Sequence, residues 1–110
     1  MVRVNKERLM NVVDFDVNEY VDLNMSSLKG TITTTYDKLV EVLGKPTYTD
    51  ADPNEKVNAE WKVIADTGDD FVKFSIYNWK TGSVPTEEYE WHIGGFGYDA
   101  VEAAYGLING

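Results

Sequence analysis

The chain contains no cysteine. That absence removes disulfide bridges, thiolate nucleophiles and cysteine-based zinc sites together. Histidine occurs once, as His92. A serine–histidine–acid triad would need it beside Ser75 or Ser83, and neither serine sits in a nucleophile-elbow sequence. No apolar run approaches the roughly 20 residues that span a bilayer. Residues 1–10 alternate charged and apolar groups without a signal-peptide core. A cytoplasmic protein with no membrane association is the expectation.

Positive charge is also scarce. Lys plus Arg number 10 against 19 Asp plus Glu, a net charge of −9. Direct binding to a nucleic-acid backbone is unfavourable at that balance, because such affinity comes mainly from Lys and Arg. An acidic surface keeps a protein soluble, and it also steers association with basic partners. A host protein that itself binds nucleic acid is such a partner.

What is present describes an ordinary folded domain. The chain has 110 residues, 43% hydrophobic and 26% charged, enough for one core without staples. No internal repeat, low-complexity tract or linker divides it. Residues 1–27 read as an N-terminal helix or arm and residues 28–110 as a single α+β domain.

Apolar residues at Val4, Leu9, Met10, Val12 and Val13 predict a short helix over 4–13. Asp14, Asp16, Glu19 and Asp22 then alternate with Phe15, Val17, Tyr20, Val21 and Leu23, as a further helical turn or an extended arm. A β-branched run predicts a strand over 28–33. Thr34 or Thr35 is a plausible N-cap for the helix after it, with Asp37 in its first turn. Tyr36, Leu39, Val40 and Leu43 share one face of that helix, Gly44 stands where a C′ glycine belongs, and Pro46 blocks continuation. Strands follow over 58–65, 71–79 and 88–93, the first two joined by a hairpin turn at Asp66-Thr67-Gly68-Asp69. Gly94 and Gly95 end the last strand, and a helix over 98–108 closes the chain. The fold class is thus α+β, an antiparallel meander of three to four strands with two or three helices on one face.

Alternation sorts the meander into two faces. Ala59, Trp61, Val63, Ala65, Val72, Phe74, Ile76, Tyr89, Trp91 and Ile93 form the core side. Glu60, Lys62, Ile64, Phe71, Lys73, Ser75, Tyr77, Trp79, Glu88, Glu90 and His92 form the other. Large aromatics on a solvated sheet are common anchors for a partner. The alternative is that the N-terminal segment covers Tyr77 and Trp79, since Phe15, Val17, Tyr20 and Leu23 also need burial.

No catalytic residue set emerges, and no cofactor is expected. Asp50-Ala51-Asp52-Pro53-Asn54-Glu55 superficially resembles a calcium loop, but Pro53 and the missing loop glycine break that pattern, so no metal site is assigned. Trp91-His92-Ile93-Gly94-Gly95-Phe96-Gly97 runs from a strand through glycines into a helix. It is either a tight turn needing positive φ or a set of exposed amides able to bind an anion. In the second case Tyr77, Trp79, Lys80, His92, Gly94 and Gly95 outline a pocket for a nucleotide-like ligand stacked on an aromatic ring.

The segments Thr34-Thr35-Tyr36-Asp37-Lys38-Leu39-Val40-Glu41-Val42-Leu43-Gly44-Lys45-Pro46, Ala59-Glu60-Trp61, Ile76-Tyr77-Asn78-Trp79-Lys80-Thr81-Gly82 and Trp91-His92-Ile93-Gly94-Gly95 resemble a family of small uncharacterised proteins of tailed bacteriophages and prophages. The resemblance covers residues 28–108, and its specific part is the Tyr-Asn-Trp-Lys and Trp-His-Ile-Gly-Gly motifs. It implies a phage setting, in the host cytoplasm, and supplies no catalytic residues. A looser, architectural likeness is to outer-membrane assembly lipoproteins and β-lactamase inhibitor domains, which also place a Leu-Gly-x-Pro helix end before a meander.

Three functions follow as expectations. The first is a non-enzymatic phage accessory protein that binds and inhibits a host factor, such as an anti-phage defence system. Its acidic surface would be drawn from Asp14, Asp16, Glu19, Asp22, Asp50, Asp52, Glu55, Asp66, Asp69 and Asp70. The second is a module that sequesters a nucleotide-type ligand in the aromatic and glycine pocket. The third is a virion or assembly component.

Overall fold

The computed structural model describes residues 10–110. The helix expected over 4–13 therefore lies mostly outside the described residues. Its last four residues are not helical. Val13 N–H donates to the Asp66 carbonyl at 2.8 Å, and Asp14–Val17 continues as a strand, β1. The sequence Asp-Phe-Asp-Val has period two, and pairing along a sheet edge satisfies its backbone where an isolated helical turn would not.

The other elements are β2 (Ser27–Thr34), α1 (Tyr36–Leu43), β3 (Tyr48–Thr49), β4 (Ala59–Asp66), β5 (Phe71–Tyr77), β6 (Tyr89–Gly95) and α2 (Asp99–Asn109). The strands form one antiparallel sheet in the order β1-β4-β5-β6-β2, with β3 pairing β4 beyond β1. The meander and the α+β class are as the sequence predicts, with two helices among the described residues.

Helix α1 starts and stops for local reasons. The Thr35 hydroxyl accepts from Lys38 N–H at 3.1 Å, and Asp37 lies in the positively polarised first turn. Gly44, at φ 86°, ends the helix and donates to the Val40 carbonyl. Two buried tryptophans then hold its two ends. Trp61 Nε1–H donates to the Gly44 carbonyl at 2.9 Å, and Trp91 Nε1–H donates to the Thr34 carbonyl at 3.2 Å. The two indoles meet edge to face at 5.6 Å. Each buried indole N–H thereby finds a carbonyl, that of Gly44 at the C-terminal end of the helix and that of Thr34 at the end of β2.

The residues assigned to the core side are buried, except Tyr89, which is half-buried against the same cluster. Phe15 and Val17 of β1 pack on that cluster as well. Helix α2 lies close on the sheet because small residues face each other. A Cβ on Gly30 would stand 2.9 Å from Val101 Cγ2, and one on Gly95 would collide with Ala100.

Strand β5 stops at Tyr77, two residues short of the expected end. Asn78 turns inward and is fully buried with Asn58. The Asn78 Oδ1 accepts from the backbone N–H of Asn58 (2.8 Å) and Ala59 (3.0 Å). Its Nδ2 donates to Asn58 Oδ1 (3.0 Å) and Thr81 Oγ1 (2.7 Å). Asn58 Nδ2 donates in turn to the carbonyls of Asp50 and Asp52. Both side-chain amides are thus satisfied, as burial requires.

Because β1 and β2 lie at opposite edges, residues 18–26 must cross the sheet. They cross the face away from the helices. Val21 is 7% exposed but lies outside the helix-side core, and Leu23 and Ser26 line a cleft with Lys62, Ser75 and Tyr77. This strap covers only part of that face. Tyr20 remains 84% exposed, and Trp79 is not covered.

The Asn58–Asn78 pair yields a prediction. Replacing Asn78 with Ala orphans two buried N–H groups and the Asn58 amide, at about 1–3 kcal/mol for each unsatisfied group. Urea unfolding of Asn78→Ala should show a loss of roughly 3–5 kcal/mol. A loss below about 1 kcal/mol would mean that the network does not organise this end of the sheet.

Candidate functional site: an aromatic ladder ending in two lysines

Register places three residues in one row across the open face, Glu60 on β4, Tyr77 on β5 and His92 on β6. Tyr77 and His92 stack at 5.5 Å with 24° between planes. Trp79 meets Tyr77 edge to face at 6.4 Å. The predicted residues Tyr77, Trp79 and His92 therefore form one ladder, with Lys80 at its end. The His92 Nδ1 is buried with no hydrogen-bond partner among the described residues.

The end of the ladder is rigidly built. Trp79 N–H donates to the Tyr89 hydroxyl at 3.1 Å, and Lys80 N–H donates to the Lys56 carbonyl at 2.7 Å. Lys80 sits at φ 57°, a left-handed conformation that costs a non-glycine residue of order 1–3 kcal/mol. The buried asparagines fix the chain on both sides of it. The result brings two ammonium groups to one indole. Lys56 Nζ lies 5.9 Å from the Trp79 ring centroid and Lys80 Nζ 5.8 Å. Trp79 is 41% exposed. A cavity of about 500 Å³ opens at the two lysines, lined by Pro53, Asn54, Glu55, Lys56, Lys80, Thr81 and Gly82 but not by the indole itself.

The glycines behave otherwise than expected. Gly94 and Gly95 do not end β6 but belong to it, paired with Leu28 and Ser27 on one side and with Ser75 and Phe74 on the other. Neither has positive φ, so neither the tight-turn nor the free-amide reading holds for them. Their smallness serves packing: Gly95 makes room for Ala100, and Gly94 for Ser75 and Tyr77. The start of α2 also carries Asp99 and Glu102 in its first turn, where they already complement the helix dipole.

The acidic pool forms two clusters and two isolated positions. Asp14 stands directly opposite Asp66 across β1 and β4, with Asp16 on the same face and Asp69 and Asp70 in the adjoining turn. Asp50, Asp52 and Glu55 lie in the loop that leads to the other end of β4. Glu19 borders Tyr48, Glu60 and Lys62, while Asp22 is exposed on the strap. Among the described residues, no group of three or more His, Asp or Glu side chains is arranged to hold a metal ion.

Sequence reading missed Lys56, Asn58 and Asn78. Lys56 lies in a polar loop with no pattern to mark it, and it reaches Trp79 only because the asparagine pair folds that loop back. No family model, no curated protein and no solved structure matches the chain.

Burial pushes the Glu60 carboxyl above its ordinary value of 4.5, and the Lys62 charge opposes this only in part. Burial, and then the nearby Glu60, likewise push the Tyr77 hydroxyl up. The folded state thus holds the Glu60 proton more tightly than the unfolded state does. Stability from this group falls as pH rises from about 4.5 through the raised value. Glu60→Gln should remove that fall, so the variant gains on the parent as pH increases. Parallel stability–pH curves for the two proteins would contradict the burial account.

Proposed function

We propose that this chain is a non-enzymatic binding protein that sequesters a small anionic, ring-bearing molecule of nucleotide type at Trp79. The observation that carries the reading is the convergence of Lys56 and Lys80 on one half-exposed indole in a chain of net charge −9. In an acidic protein, anion binding depends on such a local concentration of positive charge. A nucleobase stacked on an aromatic side chain gains about 1–3 kcal/mol. The two ammonium groups supply point charges for phosphate oxygens. Their resting contacts with the indole are worth only about 0.5–1 kcal/mol each at an exposed site, so they are readily exchanged for phosphate. Preorganisation of the loop lowers the ordering cost of binding. The likeness to phage proteins supplies a setting, in which withdrawing a nucleotide signal inhibits a host defence pathway without any catalytic group.

A second reading, contact with a basic host protein, is favoured by one observation. Asp14 opposes Asp66 in register beside Phe71, which is 64% exposed. Like charges directly opposite one another destabilise a sheet, so this edge has a cost that a basic partner would relieve.

Titration with nucleoside mono-, di- and cyclic phosphates separates the readings. Binding should quench the fluorescence of Trp79, and Trp79→Ala should weaken it roughly ten- to hundredfold. Lys56→Ala with Lys80→Ala should abolish it. Absence of quenching and of heat at millimolar ligand would overturn the nucleotide reading. Loss of host-protein capture on reversing Asp14 and Asp66 would then support the second.

A further inference from the structure

A different row of the open face forms a second cleft. Lys62, Ser75 and Gly94 lie side by side across β4, β5 and β6, and Leu28 of β2 follows Gly94. Ser75 and Gly94 are small, so this row is a trough beside the ridge made by Tyr77. The strap supplies its outer wall through Leu23, Asn24 and Ser26. The turn in that wall is closed by Ser26 N–H donating to the Leu23 carbonyl at 3.0 Å, with Met25 at φ 73°. The volume of this open trough is about 350 Å³. That lies at the small end of the roughly 300–1,000 Å³ typical of ligand pockets.

Three features mark the trough as more than a packing gap. First, it is kept open at Gly94, where a Cβ would stand 2.9 Å from Ser75 Oγ and 3.4 Å from Tyr77 Cε1. Second, Ser75 is 4% exposed and lines the trough, and no group of the described residues takes up its hydroxyl. That hydroxyl is open to the trough and not sealed in the core, so it is free to meet a ligand. Third, Glu60 and Lys62 both line the trough and lie two residues apart on one strand face, about 6.6–6.8 Å along it.

We propose that this trough binds a small zwitterion of the α-amino-acid class. The ligand ammonium pairs with the Glu60 carboxylate. The ligand carboxylate meets the Lys62 ammonium and accepts from the Ser75 hydroxyl. The ligand side chain runs toward Leu23 and Leu28. One acid and one base of opposite sign, on the same face of one strand, suit a ligand that carries both charges. A polyphosphate would meet the Glu60 carboxylate, and a bare cation would meet Lys62. Partial burial of Glu60 leaves its charged form short of a partner, which a ligand ammonium provides. This site is independent of the Trp79 reading, with Tyr77 as the wall between them.

The test is calorimetry on the full chain with the free standard amino acids, their N-acetyl derivatives, their methyl esters and a set of monosaccharides. At least one free amino acid should bind. N-acetylation and esterification should each weaken it tenfold or more. Lys62→Met and Gly94→Ala should abolish binding, and Ser75→Ala should weaken it several-fold. Glu41→Gln, on the exposed side of α1, should leave it unchanged. Circular dichroism and urea midpoints establish that Gly94→Ala is folded, and the half-exposed Lys62→Met keeps the test independent of that variant. No heat from any amino acid at millimolar concentration would overturn the proposal. Binding of monosaccharides alone, or parental binding by both variants, would overturn it equally.

Discussion

One reciprocal amide pair, Asn58 with Asn78, organises the end of the sheet that carries Trp79 and its two lysines. The Asn78 side chain takes two backbone N–H groups at the start of β4 and donates to Asn58 and Thr81. Asn58 in turn binds the carbonyls of Asp50 and Asp52. Two loops far apart in sequence are thereby tied to one strand end. Their meeting point holds Lys56, Trp79 and Lys80. A buried network of this kind is favourable only when every member is satisfied, and here both amides are. That is why Lys80 keeps a left-handed backbone that its side chain alone would not favour.

The opposite side of the sheet leaves little freedom. Trp61 and Trp91 pin the two ends of α1, while α2 lies against Gly30 and Gly95 at near-contact distance. Substitution there would be felt through the whole core. The clefts near Trp79 and beside Ser75 accordingly lie on the open face and in the loops at its end. On that face Tyr77 stands between Trp79 and the Lys62–Ser75–Gly94 trough, and the strap walls the trough from outside.

The sequence made much of the scaffold legible. Alternation in Ala59-Glu60-Trp61-Lys62-Val63 assigned the two faces correctly, because a strand buried on one side has a strict period of two. Thr35, Asp37 and Gly44 bounded α1 because capping chemistry is local. What was not legible depends on distant contacts. Asp-Phe-Asp-Val carries the period of a strand, but four residues beside apolar positions at helical spacing did not decide it. Asn78 read as part of a strand, since only the folded loop presents the amides it binds. Gly94 and Gly95 suggested a turn, whereas their role is to admit Ser75, Tyr77 and Ala100. Of the expected ligand residues, Tyr77, Trp79, Lys80 and His92 do come together. Lys56, the second cation, had no local signal at all.

Amide hydrogen exchange at Trp79 and Lys80 tests the central claim most directly. In a preformed site these two N–H groups are bonded to the Tyr89 hydroxyl and the Lys56 carbonyl. Both should exchange well below unfolded-chain rates in the free protein, and both should lose that protection in Asn78→Ala under conditions where β4 and β5 stay protected. Exchange of both amides at unfolded-chain rates in the parent protein would contradict the account.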